Sequence, residues 1–229
     1  MADRPYTLLS CSMSLDGYLD GASDGRVILS NEADLDRVDE VRAGCDAILV
    51  GAATVRHDDP RLVVRRPARV DDRLRRGLTP TPIKVTLTER AKLDPCAAFF
   101  TLGDTEKLVY CTSDTVDEAR AALAPVATVV DSGRPVEMRW VSEDLHARGV
   151  RRLMVEGGGS VLTQFLTGGL ADELHLVVAP FFIGDSQAPR FVNDGRFPWD
   201  QDRRATLVEA RPLGDVVLMR YALSPRCRD

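Results

Sequence analysis

The sequence has no CxxC pair, no apolar run near the ~18 residues that a membrane span needs, and little lysine beside its arginine. Each lack removes a class of function. The cysteines, at positions 11, 45, 96, 111 and 227, stand far apart, and no histidine joins them at metal-ligand spacing. A disulfide frame or a zinc site is therefore set aside, no metal is expected, and buried free thiols are the reading that remains. The opening Met1-Ala2-Asp3-Arg4-Pro5 has no apolar core of a secretory leader, so a soluble, cytoplasmic protein with no membrane partner is expected. A net charge of −5 argues against a nucleic-acid coat, and no nucleic-acid partner is expected. Histidine is sparse as well. His57 reads as a surface residue, His146 lies on a helix, and His175 alternates with apolar neighbours on a strand.

What is present is an ordinary globular composition, 44% hydrophobic and 28% charged over 229 residues. That is enough for one large α/β core or two small ones. No linker, repeat or low-complexity tract divides it, so residues 1–229 read as a single domain. Apolar runs at residues 7–13, 46–50, 83–87, 107–111, 126–130, 152–155 and 174–180 read as strands. The fully apolar D-A-I-L-V at 46–50 suits a central parallel strand. Helices are expected between them. Ser30 is the expected N-cap of the first, with Glu32 and Asp34 in its opening turn and Leu35, Val38 and Val41 on its apolar face. Residues 114–123 and 142–148 follow, the latter closed by Gly149. A later helix turns Val161, Leu162, Phe165 and Leu166 inward. Residues 56–80, polar and rich in arginine and proline, read as a long loop. Residues 206–210 and 216–222 read as a closing hairpin. Strands alternating with helices imply a three-layer α/β sandwich, its central sheet mostly parallel with an antiparallel C-terminal hairpin.

Two segments carry chemistry. The first is strand–Glu156-Gly157-Gly158-Gly159-Ser160–helix. Glycines admit a ligand close to the backbone, and the open N–H groups of a helix start favour phosphate oxygens. The run is neither a Walker A loop nor a Rossmann first turn, and by itself it also fits a plain tight turn. A carboxylate before it, at the carboxyl end of a buried strand, faces the crevice where α/β sheets bind ligands. The second runs from Gly51 through Thr54, Asp58, Asp59 and Pro60 to Arg65, and leads into an arginine cluster: Arg61, Arg65, Arg66, Arg69, Arg73, Arg75 and Arg76. In an acidic chain such a cluster is either a solvated loop or a local anion site.

Together with Ser14-Leu15-Asp16-Gly17, the stretch from Arg42 to Gly51, and Gly169-Leu170-Ala171-Asp172-Glu173-Leu174 followed by Ala179-Pro180, these segments resemble the riboflavin-biosynthesis pyrimidine reductase family. That family includes the reductase domain of the bifunctional deaminase/reductase and its stand-alone relatives. The pieces occur in the family order and cover about residues 6–222.

The resemblance implies a dihydrofolate-reductase-like fold and an NADPH-dependent reductase, commonly a homodimer. It implies reduction of a 5-phosphoribosylamino-pyrimidine to its ribitylamino form. Arg42, Leu62, Arg65 and Glu156 match substrate-contact positions, and Arg61 adds another candidate. A guanidinium fork suits a 5′-phosphate because it holds two oxygens at once. Ser12, Thr54, Asp58 and the turn Gly157-Gly158-Gly159-Ser160-Val161-Leu162 match cofactor-binding positions. Thr88 and Arg90 are candidates for the adenosine 2′-phosphate, with Glu89 between them opposing it. Glu156 and Asp58 are the carboxylates to test as catalytic groups. The chain departs from the family pattern at Ile28, where relatives commonly carry tryptophan, and at Arg26, a substrate-contact position. No zinc-binding deaminase domain is expected within these 229 residues. The alternatives are a dihydrofolate-, pteridine- or secondary-metabolite reductase on the same fold, or a non-catalytic NADPH-binding protein.

Overall fold

The computed structural model describes residues 4–22 and 27–227. The substrate position expected at Arg26, and the start of the chain at residues 1–3, lie outside the described residues. The chain opens with β1 (Tyr6–Ser14), α1 (Glu32–Ala43), β2 (Ala47–Gly51), α2 (Ala52–Asp58) and α3 (Pro67–Arg75). Next come β3 (Ile83–Thr88), α4 (Ala98–Thr101), β4 (Lys107–Cys111), α5 (Val116–Leu123), β5 (Thr128–Asp131) and α6 (Met138–Ala147). The last elements are β6 (Arg152–Gly157), α7 (Gly159–Thr167), β7 (Glu173–Ala179), β8 (Thr206–Leu213) and β9 (Val216–Ala222).

The strand order is β5-β4-β3-β2-β6-β1-β7-β9-β8. The pairs β1/β7, β2/β3, β3/β4 and β4/β5 are parallel, whereas β7/β9 and β8/β9 are antiparallel. The expected mainly parallel α/β sheet with an antiparallel C-terminal hairpin is the observed one. The described chain packs as two compact units. One holds residues 39–154, with Arg4 and Pro5, and the other residues 6–38 and 155–227.

In the first unit, β2 is buried along its whole length, as its unbroken apolar run requires. Lys84 on β3 is also fully buried. Its Nζ donates to the carbonyls of Phe99 and Leu102, and burial, aided by the charges of Lys107 and Arg42, pushes its pKa down to about 8. In the second unit, α7 buries Val161, Leu162, Phe165 and Leu166, the stripe expected from spacing. Each large apolar side chain so buried contributes ~1.5–3 kcal/mol. Gly149 closes α6, its N–H donating to His146.

Three local expectations are corrected. Residues 56–80 are not one loop. Pro67 opens the nine-residue helix α3 there, and Arg73 on it is buried. Arg73 Nε donates to the Thr79 carbonyl at 2.8 Å, and its terminal nitrogen donates to those of Ala43 and Cys45. A helix tied down by a buried arginine leaves little apolar signal to read. The cap of α1 is Asn31 rather than Ser30, for Asn31 Oδ1 accepts the Asp34 N–H at 2.9 Å. The buried residues of α1 are Asp34, Arg37 and Asp39, while Leu35 is 40% exposed. All five cysteines are free; Cys11, Cys45 and Cys111 are buried as expected, Cys227 is half-buried and Cys96 is exposed.

Candidate functional site

In the second unit β6 ends in Glu156-Gly157, and Gly158 caps α7 with φ 77° and ψ 121°, a conformation that side chains resist. A Cβ added to Gly157 would meet no protein atom within 4 Å. Gly159 is glycine for a different reason, because a Cβ there would collide with the Arg190 carbonyl oxygen. No side chain caps this helix start. Its first N–H groups lack intrahelical partners by geometry and carry the positive end of the helix dipole. An open space beside Gly157 next to such a helix start fits the phosphate of a dinucleotide. Glu156 is half-buried at the carboxyl end of its strand. Asn193 secures the turn from outside, its N–H donating to Thr163 Oγ1 at 2.8 Å and its side-chain amide to Ser160 Oγ at 3.2 Å.

Ser12 sits on β1, which neighbours β6 in the sheet. Its hydroxyl lies 2.9 Å from that of Ser30 and 3.3 Å from Asp34 Oδ2. Asp34 in turn accepts from Arg37 Nε at 2.8 Å, and an Arg37 terminal nitrogen meets His175 Nδ1 at 3.1 Å. On the other side of the ring, Nε2 lies 2.8 Å from Glu173 Oε1 and 3.1 Å from Arg220 Nε, so an arginine faces each ring nitrogen. Arg220 and Tyr6 also bind Glu173. Burial pushes the His175 pKa below its ordinary value, so the ring is neutral near pH 7. His175 is therefore a link in a buried polar chain, which strand alternation with apolar neighbours does not reveal. Asp16 explains the Ser14–Gly17 motif. It accepts from the Ser14 hydroxyl, Ile183 N–H and Gly184 N–H, and the Ser14 hydroxyl, the largest influence, helps hold its carboxyl down at about 2.

In the first unit, β2 delivers Gly51 directly into α2, which carries Thr54 and Asp58, both half-buried. The segment after α2 is backbone-strained. Asp59 has φ 41° and Leu62 φ 46°, each an unusual conformation for a residue with a Cβ. Leu62 is nonetheless buried, and Asp59 accepts the Ala98 N–H at 2.6 Å. Arg61 and Arg65 are exposed. Arg42 lies in the last turn of α1. Thr88 is buried at the end of β3, with its hydroxyl accepting the Arg90 N–H at 3.3 Å. Glu89 and Arg90 are exposed beyond it.

The arginine cluster thus divides by role. Arg73 is structural, and Arg75 and Arg76 pair with half-exposed Asp72. Arg69 pairs with buried Asp39 at 3.0 Å. Sequence reasoning missed the buried pairing of Asp34, Arg37, Asp39 and Glu173. The signals available were the Asp34/Arg37 spacing of three and the acidic residue three before Arg42.

A family model described as the RibD C-terminal domain matches residues 5–219. The 2,5-diamino-6-ribosylamino-4(3H)-pyrimidinone 5′-phosphate reductase of Methanothermobacter thermautotrophicus is 36% identical over 224 residues, which cover 96% of this chain and 99% of that protein. A pyrimidine reductase-like protein of Corynebacterium diphtheriae has the same fold, with TM-score 0.79 at 24% identity over 96% of this chain and 92% of that one. The dihydrofolate reductase of Enterococcus faecalis, solved with NADP(H), superposes with TM-score 0.51 at 12% identity, covering 95% of each chain. The fold is therefore dihydrofolate-reductase-like, and the chain belongs to the RibD C-terminal domain family.

Proposed function

We propose that this chain reduces a 5-phosphoribosylamino-pyrimidine to its ribitylamino form, using NADPH, as a step of riboflavin biosynthesis. The observation that carries this reading is the match over 99% of the length of a reductase named for that phosphorylated substrate. The uncapped glycine turn at the start of α7 supports it, because it fits a dinucleotide phosphate. The likeness to dihydrofolate reductase extends to the fold alone, so a folate or pteridine substrate has less behind it.

When bound, the nicotinamide ring supplies hydride to C1′ of the opened ribosyl group. The chain's own residues bind and orient. Gly157 to Leu162 would hold the cofactor phosphates, with Ser12, Thr54 and Asp58 as further cofactor contacts. Thr88 and Arg90 would meet an adenosine 2′-phosphate. Arg42, Arg61, Leu62 and Arg65 would hold the phosphorylated sugar, and Glu156 would accept hydrogen bonds from the pyrimidine or sugar. Glu156 and Asp58 are the candidate proton-handling groups. The family model runs through both compact units, which supports residues 1–229 acting as one reductase domain. A cytoplasmic homodimer completes the proposal. Among the described residues no helix is long and apolar enough to cross a membrane.

The test is oxidation of NADPH with three substrates offered separately: the phosphorylated diamino-pyrimidinone, its deaminated amino-uracil counterpart, and dihydrofolate. Turnover of either phosphorylated pyrimidine, and not of dihydrofolate, is expected. Turnover of dihydrofolate alone, or of nothing, refutes the proposal.

A further inference from the structure

Asp39 is a buried carboxylate whose partners among the described residues come from the segment that carries Arg65. Its side chain is 2% exposed. Oδ1 accepts the Arg65 N–H at 2.6 Å, and Oδ2 accepts the Arg66 N–H at 3.2 Å. Arg69 supplies the counter-charge to Oδ2 at 3.0 Å, whereas Arg65 Nε stands at 3.7 Å from Oδ1 with half its side chain exposed. A carboxylate taken out of water is tolerated only when hydrogen-bonded and paired, so these partners are a condition of its burial.

The segment gripped in this way is the strained one. Backbone in the left-handed region at Asp59 and Leu62 persists only where the surroundings over-determine it. One end is held by the Asp59–Ala98 hydrogen bond and the other by Asp39, with Leu62 buried between. Asp39 also stands three residues before Arg42 on α1, so the two share one side of the helix a turn apart. One short stretch of helix thus presents Arg42 directly and fixes the main chain of Arg65 through Asp39.

We propose that Asp39 is a positioning residue for recognition of the substrate's phosphate. Its carboxylate locks the main chain at Arg65–Arg66, and Arg69 neutralises it in place. The half-exposed Arg65 side chain, its Nε 3.7 Å from Asp39 Oδ1, thereby leaves a fixed main chain to meet the phosphate. This rests on the phosphorylated-substrate reading given above.

The experiment measures ribose 5-phosphate binding by titration calorimetry, NADPH binding by fluorescence, and steady-state kinetics, on wild type, Asp39→Asn, Arg69→Gln and the double variant. Circular dichroism establishes that each is folded. Asp39→Asn should weaken ribose 5-phosphate binding, and raise KM for the phosphorylated pyrimidine, on the order of 10-fold. Both kcat and the NADPH dissociation constant should stay near wild type. Arg69→Gln should weaken phosphate binding in the same direction, because Asp39 would then draw the Arg65 guanidinium, already within ion-pair range at 3.7 Å, closer. The double variant should be no worse than Asp39→Asn, since Arg69 acts through Asp39. If Asp39→Asn does not fold, Arg69→Gln decides by the same readout. A purely structural role would lower melting temperature and leave ribose 5-phosphate affinity unchanged, and that result overturns the inference. So does a wild type that binds no ribose 5-phosphate, or a double variant whose losses add. A wild type that turns over no pyrimidine, while Asp39→Asn still weakens ribose 5-phosphate binding, sinks the substrate reading and leaves the positioning role standing.

Discussion

Replacing Glu173 by glutamine should flatten the acid limb of this protein's stability curve. The Glu173 side chain is 3% exposed. Burial alone would raise its pKa. Hydrogen bonds from His175, Arg220 and Tyr6, with the charge around them, outweigh burial and hold the carboxyl at about 2, against an ordinary 4.5. The folded chain therefore binds this proton less readily than the unfolded chain does. Its stabilisation is complete above the unfolded value and is lost as pH falls from about 4.5 towards about 2. The full gap is worth ~3 kcal/mol at most, and the portion released between pH ~5 and ~3 is about 2 kcal/mol. Against a domain stability of ~5–15 kcal/mol that is readily measured. His175 acts in the same sense at milder acidity. Its lowered pKa means that charging the ring opposes folding as pH drops below ~6.5. Urea unfolding at a series of pH values gives the assay. Wild type should lose about 2 kcal/mol more than Glu173→Gln over that acid range. The variant should stay folded near neutral pH, because Arg220 keeps Glu209 as a partner at 3.1 Å. Parallel loss in the two proteins would refute the reasoning.

The sheet was legible wherever apolar residues ran unbroken. β2 and β4 are buried runs, and their edges in the sequence match the structure to within a residue. The stripe on α7 was legible for the same reason. Helix α3 was not, because its burial depends on Arg73 meeting carbonyls some thirty residues away in sequence, at Ala43 and Cys45. Helix α1 misled. Its apolar spacing pointed to Leu35, Val38 and Val41, yet it buries Asp34 and Arg37 on one side. Asp39 is buried about 140° around the axis from Asp34. Charged residues become buried only where partners arrive, and those partners, His175 and the 65–69 segment, are distant along the chain.

The glycine turn of the candidate site was legible because a conformation that excludes side chains and a close backbone approach both demand glycine. Gly158 and Gly159 supply one example of each. The arginine cluster was legible only as a cluster. Composition cannot separate Arg73, spent on backbone carbonyls, from Arg69, spent on Asp39, or from Arg65, half exposed beside it. The separation depends on which carboxylates are buried next to each arginine, a property of the fold.

Gly158→Asp should place a carboxylate beside the cofactor phosphates in a backbone conformation that resists side chains, and NADPH affinity should fall sharply in a protein that remains folded. Fluorescence titration equal to wild type would remove the turn from the cofactor site. NADPH should be preferred over NADH through Arg90, and equal kcat/KM for the two cofactors would mean that Glu89 cancels it. Arg65→Ala should raise KM for the phosphorylated substrate by about 10- to 100-fold, as loss of a charge-assisted phosphate contact of ~1.5–3 kcal/mol implies. NADPH binding should be unchanged, and Arg65→Lys should recover only part, since a point charge does not replace a planar fork. The control for this series cannot be Arg69. That residue lies in the same cluster but holds Asp39 at 3.0 Å, so its loss is not silent. Arg75, its side chain 73% exposed and paired with the half-exposed Asp72, is the proper control. Surface pairs of that kind contribute ~0–1 kcal/mol, so Arg75→Ala should leave KM and stability near wild type. If Arg65→Ala and Arg75→Ala behave alike, the segment after α2 is a solvated surface and the phosphate is held elsewhere.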